Sequence, residues 1–128
     1  MRRTGRLRRG DAEIYYEVLG EGPSIVFAHG LGGNHLSWWQ QLAHFARTHT
    51  CVAFAHRGFL PSSAVPGNRA PDAYADDLAA LIDELRLQDV ALVGQSMETV
   101  AQAAEIVKGR APKGAVNAEH WKRKALLR

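Results

Sequence analysis

The sequence contains little cysteine and no long apolar run. Cys51 is the only cysteine among 128 residues, which excludes an internal disulfide and a cysteine-based metal site. Because Cys51 begins an apolar segment, we predict that it is a small core residue rather than a nucleophile. No segment is apolar for long enough to cross a bilayer, and no apolar stretch follows the basic N-terminus as in a signal peptide. We therefore expect a cytoplasmic protein that does not bind membranes.

Lysine is absent from the first 107 residues and then appears four times. Through Met97, nine arginines and ten carboxylates give a net charge of −1, whereas four lysines, three arginines and three glutamates after it give +4, which together make the +3 of the whole chain. Such a change marks a domain boundary, a basic tail or a change in the origin of the sequence. We therefore divide the chain into residues 1–97 and residues 98–128, the second part being a helix and a basic tail.

The order of the hydrophobic patterns predicts an α/β fold. Strands buried on both faces are predicted for three apolar runs, at residues 24–28, 51–55 and 90–93. Helical spacing of apolar residues is found in three other segments, at residues 36–47, 71–85 and 97–108. An antiparallel hairpin over residues 6–19 precedes them. Strands that alternate with helices form a mostly parallel sheet with flanking helices.

The predicted helices differ in their buried positions. In the first helix these positions are Leu36, Trp39, Leu42, Ala43 and Ala46, and in the second they are Tyr74, Leu78, Leu81, Ile82 and Leu85. Trp38 and Trp39 could line a substrate pocket, but a tryptophan pair on an amphipathic helix more often belongs to the core. We interpret His35, His44, His49 and His56 as surface or loop residues. Their spacing does not indicate a metal site, and we expect no cofactor.

Each predicted buried strand is followed by a glycine-containing motif. The three motifs are His29-Gly30-Leu31-Gly32-Gly33, Phe54-Ala55-His56-Arg57-Gly58 and Gly94-Gln95-Ser96-Met97. The last is the first half of the nucleophile-elbow pattern G-x-S-x-G, between a strand and a helix. In this order the motifs resemble those of the α/β-hydrolase superfamily, in its serine esterase or lipase branch. The resemblance covers residues 10–97 and implies the N-terminal half of that fold.

The resemblance also implies roles for individual residues. Ser96 would be the nucleophile that attacks an ester or similar acyl substrate, and the backbone N–H groups of Leu31 and Met97 would bind the oxyanion. His29, Gly30, Gly32 and Gly94 would shape the supporting loops. A serine at position 96 argues against the epoxide hydrolase and dehalogenase branches, which use aspartate there.

The sequence departs from the family pattern at several positions. Ala55 replaces an aspartate and Leu60 a glycine, so we expect weaker support for Arg57 and for the turn that follows it. Glu98 replaces the last glycine of the elbow, which adds bulk and a charge behind the nucleophile.

The resemblance places the catalytic acid and histidine after later strands, so we expect a chain that is truncated after the elbow and inactive. His120, the only histidine after Ser96, lies in a charged stretch and is predicted to be solvated rather than catalytic. The economical hypothesis is a frameshift, chimera or degenerate gene joined near residues 97 and 98, which the other reading frames of the coding DNA would test.

Three functions remain to be distinguished. The first is a serine hydrolase, with a small ester-like substrate as its partner if the chain is active. The second is a non-catalytic remnant or binding module that retains the half-sheet. The third is a nucleic-acid-binding protein that uses the arginine-rich N-terminus, but a short basic arm on a hairpin is more often a solvated edge, so we expect no nucleic-acid partner. We also expect self-association through the exposed edge strand at residues 90–93.

Overall fold

The computed structural model describes residues 1–63 and 71–95. Its strands are β1 (Arg2–Arg9), β2 (Ala12–Leu19), β3 (Ser24–Ala28), β4 (Thr50–Phe54) and β5 (Ala91–Gly94). Its helices are a 3₁₀ helix (His35–Trp38), α1 (Trp39–Phe45) and α2 (Pro71–Glu84). Four residues of the sequence predictions, Ser96, Met97, Glu98 and His120, lie outside the described residues, as do the predicted helix and tail that follow residue 96.

The five strands form one sheet in the order β1-β2-β4-β3-β5. The β1–β2 and β2–β4 pairs are antiparallel, whereas β3 is parallel to both β4 and β5. This arrangement confirms the predicted hairpin that leads into a parallel sheet. The hairpin is longer than predicted, because Arg2 already pairs with Leu19. In the part of the chain that the structure describes, β5 bonds to β3 alone and forms the outer edge.

The strands β3 and β4 are buried on both faces of the sheet. The residues of β5 are exposed or partly buried, so the prediction of burial on both faces is wrong for this strand. On one face β-strand residues such as Val26 and Val52 pack against α2, whose predicted stripe is confirmed: Tyr74, Leu78, Leu81 and Ile82 are buried and Leu85 is partly buried. On the other face Phe27 and Cys51 pack against α1. Cys51 is fully buried, so its prediction as a core residue is confirmed. None of the three helices among residues 1–63 and 71–95 is long and apolar enough to span a membrane.

The predicted helix at residues 36–47 is divided and buries a different side. Leu36 is 59% exposed and Trp39 65% exposed, and Ala43 is also exposed, so their prediction as core residues is wrong. The side chains on this face of the sheet are instead Trp38, Leu42, Phe45 and Ala46. The 3₁₀ helix has about three residues per turn rather than 3.6, which shifts the buried face away from the position that α-helical spacing predicts.

Candidate active site

The loops after three parallel strands meet at one edge of the sheet. The strands β3, β4 and β5 run in the same direction, so the segments that follow them lie at the same edge. The backbone N–H of Gln95 donates to the carbonyl oxygen of Ala28 at 3.1 Å. The chain that leads to Ser96 therefore passes directly beside the start of the His29 loop.

His29 is a buried, neutral histidine that connects the ends of β3 and β4. Its Nε2 accepts a hydrogen bond from the backbone N–H of His56 at 2.9 Å. The ring proton must then lie on Nδ1, which is 2.8 Å from the carbonyl oxygen of Gly30 and donates to it. Burial lowers the pKa of His29, in agreement with a neutral ring. Both nitrogens are engaged with the backbone, so His29 cannot serve as a general base.

The loop after His29 begins with a tight turn. The N–H of Gly33 donates to the carbonyl oxygen of Gly30 at 3.1 Å, and Gly32 has φ +80°, as position three of a type II turn requires. Leu31 occupies the corner with its side chain 70% exposed. Among residues 1–63 and 71–95, no hydrogen bond engages the Leu31 amide. The turn can therefore offer a backbone N–H donor at this edge of the sheet.

His56 lies in the loop after β4, in agreement with the prediction of a surface or loop residue, but it is buried rather than on the surface. Its ring packs between those of Phe54 at 4.9 Å, Tyr74 at 4.8 Å and His29 at 4.6 Å. Neither ring nitrogen has a hydrogen-bond partner in the described part of the chain. Burial, and secondly the neighbouring His29, lowers the pKa of His56 to about 3. The chain turns inward at the end of β4, where α2 covers the ring, and strand and loop patterns do not reveal this.

Arg57 has strong support although Ala55 replaces the aspartate of the family pattern. Its guanidinium donates from Nε and Nη2 to the two carboxylate oxygens of Asp77, both at 2.7 Å. Asp77 lies on α2 and is fully buried. The prediction of weak support for Arg57 is therefore wrong, because the carboxylate comes from a helix 20 residues away in the chain.

Ser62 is a buried residue that the sequence analysis missed. Its hydroxyl accepts from the N–H of Tyr15 at 2.8 Å and donates to the carbonyl oxygen of Ala55 at 2.6 Å. The N–H of Gly58 donates to the carbonyl oxygen of Ser63 at 2.8 Å, which closes the turn even though Leu60 stands in the glycine position. The prediction that this turn lacks support is wrong. In the sequence, only the position of Ser62 shortly after Arg57-Gly58 could have indicated this role.

Glu17 forms a second polar cluster that the sequence analysis also missed. It is 5% exposed, and its Oε1 accepts from Arg2 and from the Tyr15 hydroxyl, the latter at 2.8 Å. His35 places Nε2 3.4 Å from the same oxygen. Since His35 is 7% exposed, its prediction as a surface residue is wrong, whereas His44 is exposed as predicted. Burial lowers the pKa of His35, and the Glu17 charge acts in the opposite direction.

The side chains that commonly bind metal ions are not clustered in the described residues. Within residues 1–63 and 71–95, no group of three or more histidine, cysteine, aspartate or glutamate side chains could hold a metal ion.

Comparison with known proteins identifies what the chain is similar to. A family model for the α/β hydrolase fold matches residues 23–100. A non-heme chloroperoxidase from Kitasatospora aureofaciens is 38% identical over 90 residues, which are 70% of this chain and 33% of that protein. The 3-oxoadipate enol-lactonase 2 of Acinetobacter baylyi is 30% identical over 89 residues, 68% of this chain and 33% of that protein.

A solved structure is similar over most of the chain. The structure of Est816, described as an N-acyl homoserine lactone degrading enzyme, has a TM-score of 0.79 at 27% identity and matches 86% of this chain and 42% of its own. The chain spans about one third of the length of the curated relatives it matches. The family model covers β3, β4, β5 and the loops that follow them, and the activities of these longer proteins remain theirs.

Proposed function

Because the chain belongs to the α/β-hydrolase fold family, we propose that Ser96 is the nucleophile of an acyl-hydrolase site for a small ester-like substrate. The observation that carries this proposal is the hydrogen bond between Gln95 and Ala28 at 3.1 Å. It brings the strand that leads to Ser96 beside the turn that carries Leu31. A nucleophile and a backbone donor at one edge of the sheet are the two parts that acyl transfer needs first.

The oxyanion of the tetrahedral intermediate would accept hydrogen bonds from the backbone N–H groups of Leu31 and Met97. Such donors accelerate acyl transfer because they are oriented before charge develops on the oxygen. The buried His29 ring and the Gly30 carbonyl, 2.8 Å apart, support this role for Leu31 because they hold the turn in place. Gly94 pairs with Ala28 in the parallel register of β5 and β3. This pairing supports the proposal that Gly94 shapes the backbone of the same site.

A serine needs a base to become a nucleophile, and in the described part of the chain the histidines that follow β3 and β4 are unsuited to that task. His29 has both nitrogens engaged. The pKa of His56 is lowered to about 3, so this ring is too weak a base near neutral pH. We therefore propose that residues 1–128 alone leave Ser96 unactivated.

Labelling by a reactive phosphonate that modifies activated serines, with and without added imidazole, tests the function. We expect slow labelling of the folded chain that free imidazole accelerates, because imidazole can act as the absent base. The Ser96→Ala variant should not be labelled under either condition. Folded wild-type chain that stays unlabelled with imidazole would refute the hydrolase proposal and support the second candidate, a non-catalytic remnant or binding module.

The arginine-rich N-terminus does not favour a nucleic-acid partner. Of its five arginines, Arg2 pairs with Glu17 and Arg9 with Asp77, and Arg6 lies 3.8 Å from Glu13. Arginines that neutralise the protein's own carboxylates contribute less to phosphate binding. We propose that β1 is a structural edge of the sheet and binds no nucleic acid.

A further inference from the structure

The Gly30–Gly33 turn lies between two buried histidines. His29 precedes the turn and is held by backbone groups, namely the Gly30 carbonyl at 2.8 Å and the His56 N–H at 2.9 Å. His35 follows the turn as the first residue of the 3₁₀ helix. The two ends of the loop are therefore anchored in different ways, the first by the ends of the strands and the second by side chains.

His35 is held by a carboxylate that is itself buried. Its ring meets the ring of Tyr15 edge-on at 5.0 Å, and its Nε2 lies 3.4 Å from Oε1 of Glu17. A carboxylate accepts and does not donate, so the ring proton of neutral His35 lies on Nε2. The hydroxyl of Tyr15 and the guanidinium of Arg2 donate to the same Glu17 oxygen. Glu17 thus faces Nε2 of His35 and favours this tautomer, and Tyr15 packs against the ring.

The segment between the turn and His35 allows little movement. The N–H of Asn34 lies 3.2 Å from the Ser37 hydroxyl oxygen, and the N–H of Leu36 donates to the Asn34 side chain at 2.8 Å. A Cβ atom added to Gly33 would lie 2.6 Å from the Ser37 hydroxyl oxygen. The turn is therefore closed onto the 3₁₀ helix, so that a displacement of His35 is transmitted to the turn.

We propose that His35, held by Glu17, is a positioning residue that fixes the Gly30–Gly33 turn and with it the amide of Leu31. The inference rests on the proposed function for the use that the reaction makes of this amide. A donor displaced by about 1 Å can lose roughly 100-fold in rate. His35 acts on the reaction through the turn and has no contact with substrate.

The first arm of the test measures the Leu31 and Gly32 amide resonances by ¹⁵N NMR in the wild-type protein and in four variants. We expect both resonances to shift in His35→Ala and to return toward the wild-type positions in His35→Gln, whose side-chain amide can donate to Glu17. Tyr15→Phe removes one donor to Glu17 but keeps the ring, so it should give a smaller shift. His44→Gln, on the exposed side of α1, is the control and should leave both resonances unchanged. Unchanged resonances in His35→Ala would overturn the proposal.

The second arm measures the rate of Ser96 labelling with imidazole in the same variants. We expect His35→Ala to be labelled at least about tenfold more slowly than wild type, with recovery in His35→Gln, as for a partly misplaced oxyanion donor. Equal labelling rates in wild type and His35→Ala would overturn the inference, while the proposed function would stand. If neither is labelled although the resonances shift, the proposed function fails and the positioning role of His35 stands. Should His35→Ala fail to fold, Tyr15→Phe and Glu17→Gln carry the same comparison.

Discussion

The guanidinium of Arg57 and the carboxylate of Asp77 form a two-point ion pair in the protein interior, with both N–O distances at 2.7 Å. The Asp77 side chain is fully buried and that of Arg57 is 11% exposed. A third residue, Arg9, reaches Oδ1 of Asp77 from β1 at 3.3 Å. The hydrogen bonds to Asp77 raise the pKa of Arg57, so the guanidinium stays charged. The ion pair joins the loop after β4 to α2, and Arg9 joins β1 to the same carboxylate.

Replacement of Asp77 should lower the unfolding free energy more than replacement of Arg57. Asp77→Asn leaves two guanidinium groups facing each other without a carboxylate and should cost about 3–5 kcal/mol of unfolding free energy, as for a broken buried pair. Arg57→Met should cost less, because Arg9 still neutralises Asp77. Urea unfolding at neutral pH measures both. Equal losses would show that Arg9 does not compensate for Arg57.

Acid should destabilise the protein through its buried histidines. The pKa of His56 falls from its ordinary 6.5 to about 3 on folding, so below pH 6.5 the unfolded chain binds a proton that the folded chain excludes. Stability is therefore lost as the pH falls from 6.5 toward 3, by up to about 1.4 kcal/mol per pH unit. His56→Phe should remove about 2 kcal/mol of the loss between pH 7 and pH 5. The slope is measured by urea unfolding at several pH values.

The control for His56→Phe is His44→Gln, because His44 is exposed. This variant should keep the wild-type slope. A wild-type slope in His56→Phe as well would mean that the acid sensitivity arises at other groups, of which His29 and His35 also have lowered pKa values.

The Ser62 hydroxyl should contribute to stability through the two backbone groups it joins. Ser62→Ala leaves the N–H of Tyr15 and the carbonyl of Ala55 without this partner, which should cost about 1–3 kcal/mol. Ser63→Ala is the matched control, since within residues 1–63 and 71–95 the Ser63 hydroxyl accepts from the Glu13 N–H alone and the residue is half-buried. Thermal and urea unfolding of both variants compare the losses. A loss in Ser62→Ala no larger than that in Ser63→Ala would contradict this role.

The outer strand β5 should promote self-association. Val93 is 36% exposed on a strand that pairs on one side within the described residues, and such edges template pairing with a second chain. Sedimentation at increasing concentration should reveal dimers or larger species that Val93→Lys reduces. Val93→Thr keeps the branched shape without a charge and should have a smaller effect. A wild-type chain that stays monomeric at all concentrations would refute the prediction.

The sequence predicted the sheet well because the evidence for it is local. Apolar runs identified β3, β4 and β5, and the hairpin followed from alternation and from a turn at residues 10 and 11. Of the two predicted helices that the structure describes, helical spacing failed at residues 36–47, where a 3₁₀ helix precedes α1 and changes the period of the chain. Loops that follow parallel strands share one edge, so the candidate site could be located before any contact was known. The roles of Ser96 and Met97 stay predictions.

By itself, then, the sequence determined the order of strands and helices, the family and the loops that carry the candidate site. Only the tertiary structure decided which polar groups support that site. Arg57 pairs with Asp77, which is 20 residues away in the chain, and Ser62 accepts a hydrogen bond from Tyr15, which is 47 residues away. His35 and His56 have the same local signal as the exposed His44, yet packing buries the first two. Burial and pairing depend on neighbours that are distant along the chain, and a local pattern holds no information about them.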